Sequence, residues 1–328
     1  MAAPPEAADF LTLGVDLGGT KVETALVDAA GGIVTVHRTS TDAANGPSGV
    51  VADIVECVHG CLGSGSRAAL ALGVGVAGQV EAGTGAVRFA PNLGWRDVPL
   101  REELERALGL PVVVVNDVRA AAWGEWLHGT GQGVDGLVCL FLGTGVGGGV
   151  ITGGRILEGS TNTAGELGHM TIVADGRPCR CRNRGCLEAY AGGWAIAQRA
   201  QEAVQADPDG GRTLISLAGD LQGITALEVS KAFRQGDRLA RRVVDETGRY
   251  LSAGLVSIVN AFDPSLVILG GGVIEGLPEL VAMAEERVRK YALEAAIEGL
   301  SVSRAALGLK AGVIGAAALA RRAIREAP

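Results

Sequence analysis

The chain has 328 residues, 48 % of them hydrophobic, and a formal net charge of −7, which suits about two domains with a sizeable core. Its 51 glycines and 11 prolines stay below the roughly 25–30 % that marks low-complexity chains, so disorder is excluded and the glycines need a geometric use. An acidic balance is opposite to the basic footprint that binding to nucleic acid or an anionic membrane requires.

The opening MAAPPEAADF has no basic segment followed by an apolar core, so export is not expected and the protein reads as cytoplasmic. Beyond it, short β-branched runs alternate with alanine-rich amphipathic segments, an α/β pattern. Strands are expected at 12–15, 22–27, 33–39, 71–76, 112–115, 137–142, 147–151 and 266–269. Helices are expected at 49–61, 100–108, 118–127, 195–206, 238–261, 276–292 and 312–326. The uncharged stretch 136–154 approaches the length of a membrane span, but its many glycines and missing helical stripe predict a hairpin.

The first strand runs into Asp16-Leu-Gly18-Gly19-Thr20-Lys21 and then a second strand. About 125 residues later, Leu142-Gly143-Thr144-Gly145-Val repeats the arrangement, and Gly270-Gly271-Gly272 follows a third apolar strand. Glycine permits positive φ and lets backbone N–H groups approach an anion with no Cβ in the way. One such turn is an ordinary hairpin; three point to a nucleotide site, with two related lobes facing one phosphate chain.

Between these turns, the run 112–115 ends at Asn116-Asp117 before a helix, the carboxyl end of a strand where open α/β sheets bind ligands. Capping the helix would use one of the two, leaving a carboxylate able to accept a proton from a substrate hydroxyl. Farther on, Gly165-Glu166-Leu-Gly-His169 precedes Cys179-Arg-Cys181-Arg-Asn-Arg-Gly-Cys186-Leu-Glu188. One imidazole and three thiols within eighteen residues form a tetrahedral zinc set, against a core histidine, a redox pair or chance clustering. Arg177, Arg180, Arg182 and Arg184 in that loop read as a solvated face. Trp95, Trp123, Trp126 and Trp194 read as packing residues, and Cys57 and Cys61, one helical turn apart, as interior ones.

Taken in order, Asp16 to Lys21, Asn116-Asp117, Leu142-Gly-Thr-Gly-Val-Gly-Gly, Gly165 to His169 and Cys-x-Cys-x4-Cys-x-Glu188 resemble the motifs of the ROK family of repressors, open reading frames and sugar kinases. The resemblance spans about 11–320. It implies an actin-like, ribonuclease H-like fold with two lobes: a small α/β domain of 9–117 plus 313–328, and a large one of 118–312 carrying a zinc loop. It also implies ATP-dependent phosphorylation of a hexose, glucose foremost, with Asp117 as the base. Gly78, Asn92, Asn116, Glu166, His169 and Glu188 would contact the sugar, with His169 also serving zinc beside Cys179, Cys181 and Cys186. Asp16 would hold Mg²⁺ through water, Gly18, Gly19, Thr20 and Lys21 with Gly143, Thr144 and Gly145 the phosphates, and Gly270, Gly271 and Gly272 the adenosine.

The chain departs from the family at Arg182, where Gly usually follows the second Cys, so a different turn is expected there. Glu23 stands where many glucose-phosphorylating members carry a small residue. A fructokinase or an N-acetylhexosamine or N-acetylmannosamine kinase would use the same base and loops. A sugar-responsive repressor would need a helix-turn-helix segment, and about ten residues precede the first strand. A polyphosphate donor would favour a basic track leading to the phosphate loops, which the sequence does not display. Members of the family are commonly homodimers or homotetramers.

Overall fold

The computed structural model describes residues 10–63 and 69–326; the stretch 1–9 read for export, and residues 9, 327 and 328 of the expected small domain, lie outside them. In chain order the elements are β1 (Leu11–Leu17), β2 (Lys21–Val27), β3 (Ile33–Ser40), α1 (Gly46–Leu62), β4 (Ala69–Val76), β5 (Gln79–Val80), β6 (Val87–Ala90), β7 (Trp95–Val98), α2 (Leu100–Leu108), β8 (Val112–Asn116) and α3 (Asp117–His128). There follow β9 (Leu137–Leu142), β10 (Val146–Thr152), β11 (Arg155–Ile156), α4 (Glu188–Ala191), α5 (Gly193–Ala206), α6 (Arg212–Ala218), α7 (Ala226–Arg234) and α8 (Arg238–Phe262). The chain closes with β12 (Leu266–Gly270), α9 (Gly272–Gly276), α10 (Glu279–Tyr291), α11 (Glu294–Ile297), β13 (Ser301–Arg304) and α12 (Ala311–Glu326).

Two units emerge. One comprises Met1–Gly133, Arg155–Ala164 and Ala306–Pro328; the other comprises Val134–Gly154 and Gly165–Ala305. The first unit therefore keeps α3 instead of ending at Asp117, and it also takes 155–164 and the chain from Ala306. Close packing supplies the reason. A Cβ on Gly315 of α12 would lie 1.7 Å from the Ala120 carbonyl oxygen of α3, and one on Gly73 of β4 would lie 1.9 Å from that of Ala316. Backbones can meet this closely only where glycine removes the side chain.

In the first unit the sheet order is β3-β2-β1-β4-β8, with β1 antiparallel to β2 and parallel to β4, and β4 parallel to β8. In the second the order is β10-β9-β12-β13, with an antiparallel β9-β10 hairpin and parallel β9-β12 and β12-β13 pairs. Each unit thus builds a hairpin followed by parallel strands, the repeat expected from the two glycine turns. The strands of both sheets are buried: in the first unit Leu13, Val15, Leu72 and Val74 fill one face while Gly14 and Gly73 meet α12 on the other, and in the second Leu137, Leu140, Val267 and Ile268 are buried. Cys57 and Cys61 lie in the core of the first unit, as expected.

A third sheet, β5-β6-β7, was not anticipated from the sequence. The expected helix 276–292 instead begins at Glu279, after α9 and Pro278. No helix among the described residues is long and apolar enough to cross a membrane.

Candidate active site

In the first unit β1 delivers Asp16 to its end, paired in register with Glu23 across the hairpin. Burial, and next the Glu23 carboxylate, raise the Asp16 carboxyl above its ordinary range, with Lys21 opposing. Glu23 is 5 % exposed. Burial disfavours its charge, yet Lys310 Nζ at 2.7 Å and the Arg38 guanidinium prevail and hold it below the usual carboxylate range. Asp16 at the end of this hairpin is the carboxylate that suits a divalent cation, since Glu23 is already neutralised by Lys310 and Arg38.

The turn between β1 and β2 closes with the Gly18 N–H donating to the Lys21 carbonyl at 3.0 Å. A Cβ on Gly19 would stand 3.1 Å from the Asn92 carbonyl oxygen. Positive φ, expected at these turns, does not occur at Gly18, Gly19, Gly143 or Gly145; among the expected phosphate and adenosine glycines only Gly271 has it, at +89°. Close approach accounts for Gly19, Gly145 and Gly271, whereas a Cβ on Gly143 or Gly272 would meet nothing within 4 Å. At Gly145 a Cβ would sit 2.3 Å from Glu188 Oε2.

At the end of β8, Asn116 caps α3: its Oδ1 accepts the N–H groups of Val118 at 3.0 Å and Arg119 at 3.1 Å, while its Nδ2 donates to the Gly78 carbonyl at 3.2 Å. The cap uses Asn116 alone and leaves one Nδ2 hydrogen for a ligand. Asp117 is the first residue of α3, at the positive end of the helix dipole.

In the second unit the Gly143-Thr144-Gly145 turn is tied to the start of α5. Gly193 N–H donates to the Gly143 carbonyl at 2.9 Å, and Trp194 N–H to that of Thr144 at 3.1 Å. Glu188 reaches the same place: its Oε2 accepts the Val146 N–H at 3.0 Å and its Oε1 the Trp194 indole N–H at 3.3 Å. Trp194 is therefore more than packing, whereas Trp95 and Trp123 are buried as expected. Gly271 follows β12 and precedes α9, and a Cβ there would lie 2.5 Å from the Leu142 carbonyl oxygen. Glu166, exposed, precedes the short turn Leu167–His169, and Gly168 in that turn lies so near Val146 that a Cβ would be 1.9 Å from its carbonyl oxygen.

The donor atoms of His169, Cys179, Cys181 and Cys186 all lie within 4.8 Å of one another. His169 Nδ1 is 3.8 Å from Cys179 Sγ, and the sulfurs of Cys181 and Cys186 are 3.7 Å apart, with every cysteine a free thiol. Burial, augmented by the neighbouring thiols, pushes the Cys179 thiol up to about 12 and raises that of Cys186. Thiols converging this way become thiolates only around a cation, and three sulfurs with one imidazole fit zinc.

Bridges Thr171↔Cys186 and Pro178↔Arg184 frame the loop. Gly185, with φ +76°, returns the chain so tightly that a Cβ would be 1.7 Å from the Val173 carbonyl oxygen. Arg182 adopts φ +81°, a left-handed conformation that glycine takes without strain. Among the loop arginines, Arg177 is not a solvated one: its half-buried guanidinium grips the Glu202 carboxylate, and Arg180 stacks 4.7 Å over Trp194.

Of the residues expected to contact sugar, Gly78, Asn92, Asn116 and Asp117 belong to the first unit and Glu166, His169 and Glu188 to the second. Sequence reading missed Arg119 and Asn162, whose side chains hydrogen-bond across 43 positions, a separation that leaves no local signal.

A model of the ROK family matches residues 12–323. The glucokinase of Streptomyces coelicolor is 39 % identical over 313 residues, covering 95 % of this chain and 98 % of that protein. An N-acetylmannosamine kinase of Escherichia fergusonii is 32 % identical over 316 residues, 94 % of this chain and 98 % of its own length. Among solved structures, a ROK family glucokinase from Streptomyces griseus in complex with glucose and AMPPNP matches with a TM-score of 0.84 and 40 % identity, covering 95 % of this chain and 99 % of that one.

Proposed function

The chain belongs to the ROK family, and on that premise we infer that it is an ATP-dependent hexose kinase that phosphorylates glucose. The observation that carries this reading is the near full-length similarity to a glucokinase that holds glucose and AMPPNP. The end of β8 supports it, since Asn116 supplies the helix cap and Asp117 follows it as the first residue of α3, at the carboxyl end of the strand.

Asp117 accepts the proton of the attacking sugar hydroxyl and holds its oxygen in line with the γ-phosphoryl, assistance that amounts to about 10²–10⁴ in rate. The bond from that oxygen to phosphorus forms as the bridge to ADP breaks, through a loose transition state governed by positioning and charge neutralisation. Backbone N–H groups of the turns at Gly18, Gly19, Thr20 and Lys21 and at Gly143, Thr144 and Gly145 face the phosphates, while Gly270, Gly271 and Gly272 admit the adenosine. Asp16 holds Mg²⁺, which neutralises phosphate charge when bound. Glu166 and Glu188 accept sugar hydroxyls, joined by Asn92, Asn116 and the Gly78 backbone. His169 with Cys179, Cys181 and Cys186 holds a structural zinc that stiffens the loop between Glu166 and Glu188. The enzyme works in the cytoplasm, where ATP and free hexose meet, and family precedent makes it a homodimer or homotetramer, which light scattering decides.

A coupled assay with ATP or polyphosphate across glucose, fructose, mannose, N-acetylglucosamine and N-acetylmannosamine tests the reading: glucose with ATP should give the highest kcat/KM. In the same assay Asp117→Asn keeps the side-chain shape and loses the proton acceptor. Its kcat should fall at least about a hundredfold with glucose KM within a few-fold, and a kcat near that of the parent would remove Asp117 from the role of base.

A further inference from the structure

Buried charge needs a purpose, and Arg119, two residues past the proposed base in the first turn of α3, is only 3 % exposed. Its backbone N–H donates to Asn116 Oδ1 at 3.1 Å. Its guanidinium forks onto one distant segment of the chain, Nη1 donating to Asn162 Oδ1 and Nη2 to the Ala164 carbonyl at 2.6 Å. Asn162 Nδ2 in turn donates to the Val80 carbonyl at 2.9 Å, and two residues before Val80 the Gly78 carbonyl accepts Asn116 Nδ2. The bonds form a closed ring: Asn116, Gly78, Val80, Asn162, Arg119 and back to Asn116.

That ring encloses the first turn of α3, where Asp117 sits. It also seizes the chain one residue before Gly165, whose φ of +88° redirects the backbone into Glu166. Asn162 itself is left-handed, at φ +58°, and the Ala164 N–H donates to the Glu158 carbonyl at 3.0 Å, so 158–164 is held as a fixed loop. A lysine could not replace the fork, because its single ammonium has no planar pair of donors aimed at two acceptors.

We propose that Arg119 is a positioning residue that fixes the Gly78 turn and the segment leading into Glu166 relative to the base Asp117, so that sugar affinity and proton transfer depend on one buried guanidinium. This inference rests on the hexose-kinase reading. Displacing sugar-contacting backbone by about 1 Å is enough to cost up to about a hundredfold in rate. The hydrogen bonds of the ring named above reach neither phosphate turn, so nucleotide binding is expected to be spared.

Steady-state kinetics of Arg119→Ala, Arg119→Lys and Asn162→Ala, each checked for folding by its thermal transition, provide the test. In Arg119→Ala the glucose KM should rise at least about tenfold and kcat fall several-fold, with ATP KM within about twofold of the parent. Arg119→Lys, able to reach one acceptor, should recover part of the glucose KM, and Asn162→Ala should raise it a few-fold. A folded Arg119→Ala with parental glucose KM, or with ATP KM rising in parallel, would overturn the inference. Should Arg119→Ala fail to fold, Asn162→Ala decides, and an unchanged glucose KM there overturns it too. A parent enzyme that phosphorylates no hexose would instead sink the hexose-kinase reading itself.

Discussion

Single residues in this chain carry costs that their neighbours offset. Arg182 is the plainest case: at φ +81° its Cβ crowds the backbone, and nothing but the turn itself demands that conformation, since the Cys179 N–H must reach the Asn183 carbonyl at 2.9 Å. A left-handed non-glycine residue costs on the order of 1–2 kcal/mol. Arg182→Gly should therefore stabilise the protein by about 1 kcal/mol, less what glycine gains in freedom when unfolded. Its thermal midpoint should rise by roughly 2–4 °C. A lower midpoint would mean that the guanidinium makes a compensating contact. The sequence identified Arg182 as a departure but did not reveal its left-handed backbone, which depends on the bond between Cys179 and Asn183 on either side. Glu23, the other departure, proved to be a buried anion neutralised by Lys310 from 287 positions away, a partner no local pattern indicates.

At the scale of elements, close approach of backbones explains why alanine and glycine crowd α12. Its residues Val313, Ala316 and Ala317 lie against Gly14 of β1 and Gly73 of β4, and its Gly315 against Ala120 of α3. A methyl group at Gly315 would meet the Ala120 carbonyl oxygen at 1.7 Å, which neither helix can relieve by rotating a side chain. Gly315→Ala should consequently destabilise by about 1–3 kcal/mol or more, despite the better helix propensity of alanine. Chemical denaturation measures this, and a stability equal to the parent would show that α3 and α12 can part without loss. Long elements such as these were legible from periodicity and composition: the expected 100–108 and 137–142 coincide with α2 and β9, and 312–326 misses α12 by one residue. The meander β5-β6-β7 was not, because its strands have two to four residues and mix Arg, Gln and Asp with the apolar ones, too short for alternation to register. Pro278 marked the start of α10, but the glycine and apolar residues before it blurred the break.

For the molecule as a whole, the units differ in what holds them. The first is stabilised by apolar packing of β1, β2, β4, α1 and α2 around residues such as Leu13, Ile54, Leu72 and Trp95. In the second, the segment from His169 to Glu188 is irregular, held by isolated bridges, loop hydrogen bonds and the Arg177–Glu202 ion pair, and its buried Cys186 and half-buried His169 converge on one point. The metal site was readable in the sequence because its four ligands crowd into eighteen positions, whereas the ring through Arg119 was not. Zinc bound by thiolates and imidazole contributes about 10–16 kcal/mol in small peptides at neutral pH, a large term for a loop with no regular helix or sheet between His169 and Leu187 beyond a short turn. Elemental analysis should find about one zinc per chain. Chelation should then abolish amide protection in 169–188 first, while β1, β4 and α12, which share no bond with the site, keep theirs. Glucose KM should rise more than ATP KM, because Glu166 and Glu188 flank the metal ligands in sequence, while of the two phosphate turns only that at Gly143 to Gly145 lies in the affected unit and the β1-β2 turn lies in the other. Hydrogen exchange with and without chelator reads the first effect and kinetics the second. Metal-free protein with a fully protected loop would show that protein contacts alone order it, because a site that supplies the folding energy of its loop cannot be emptied without local unfolding.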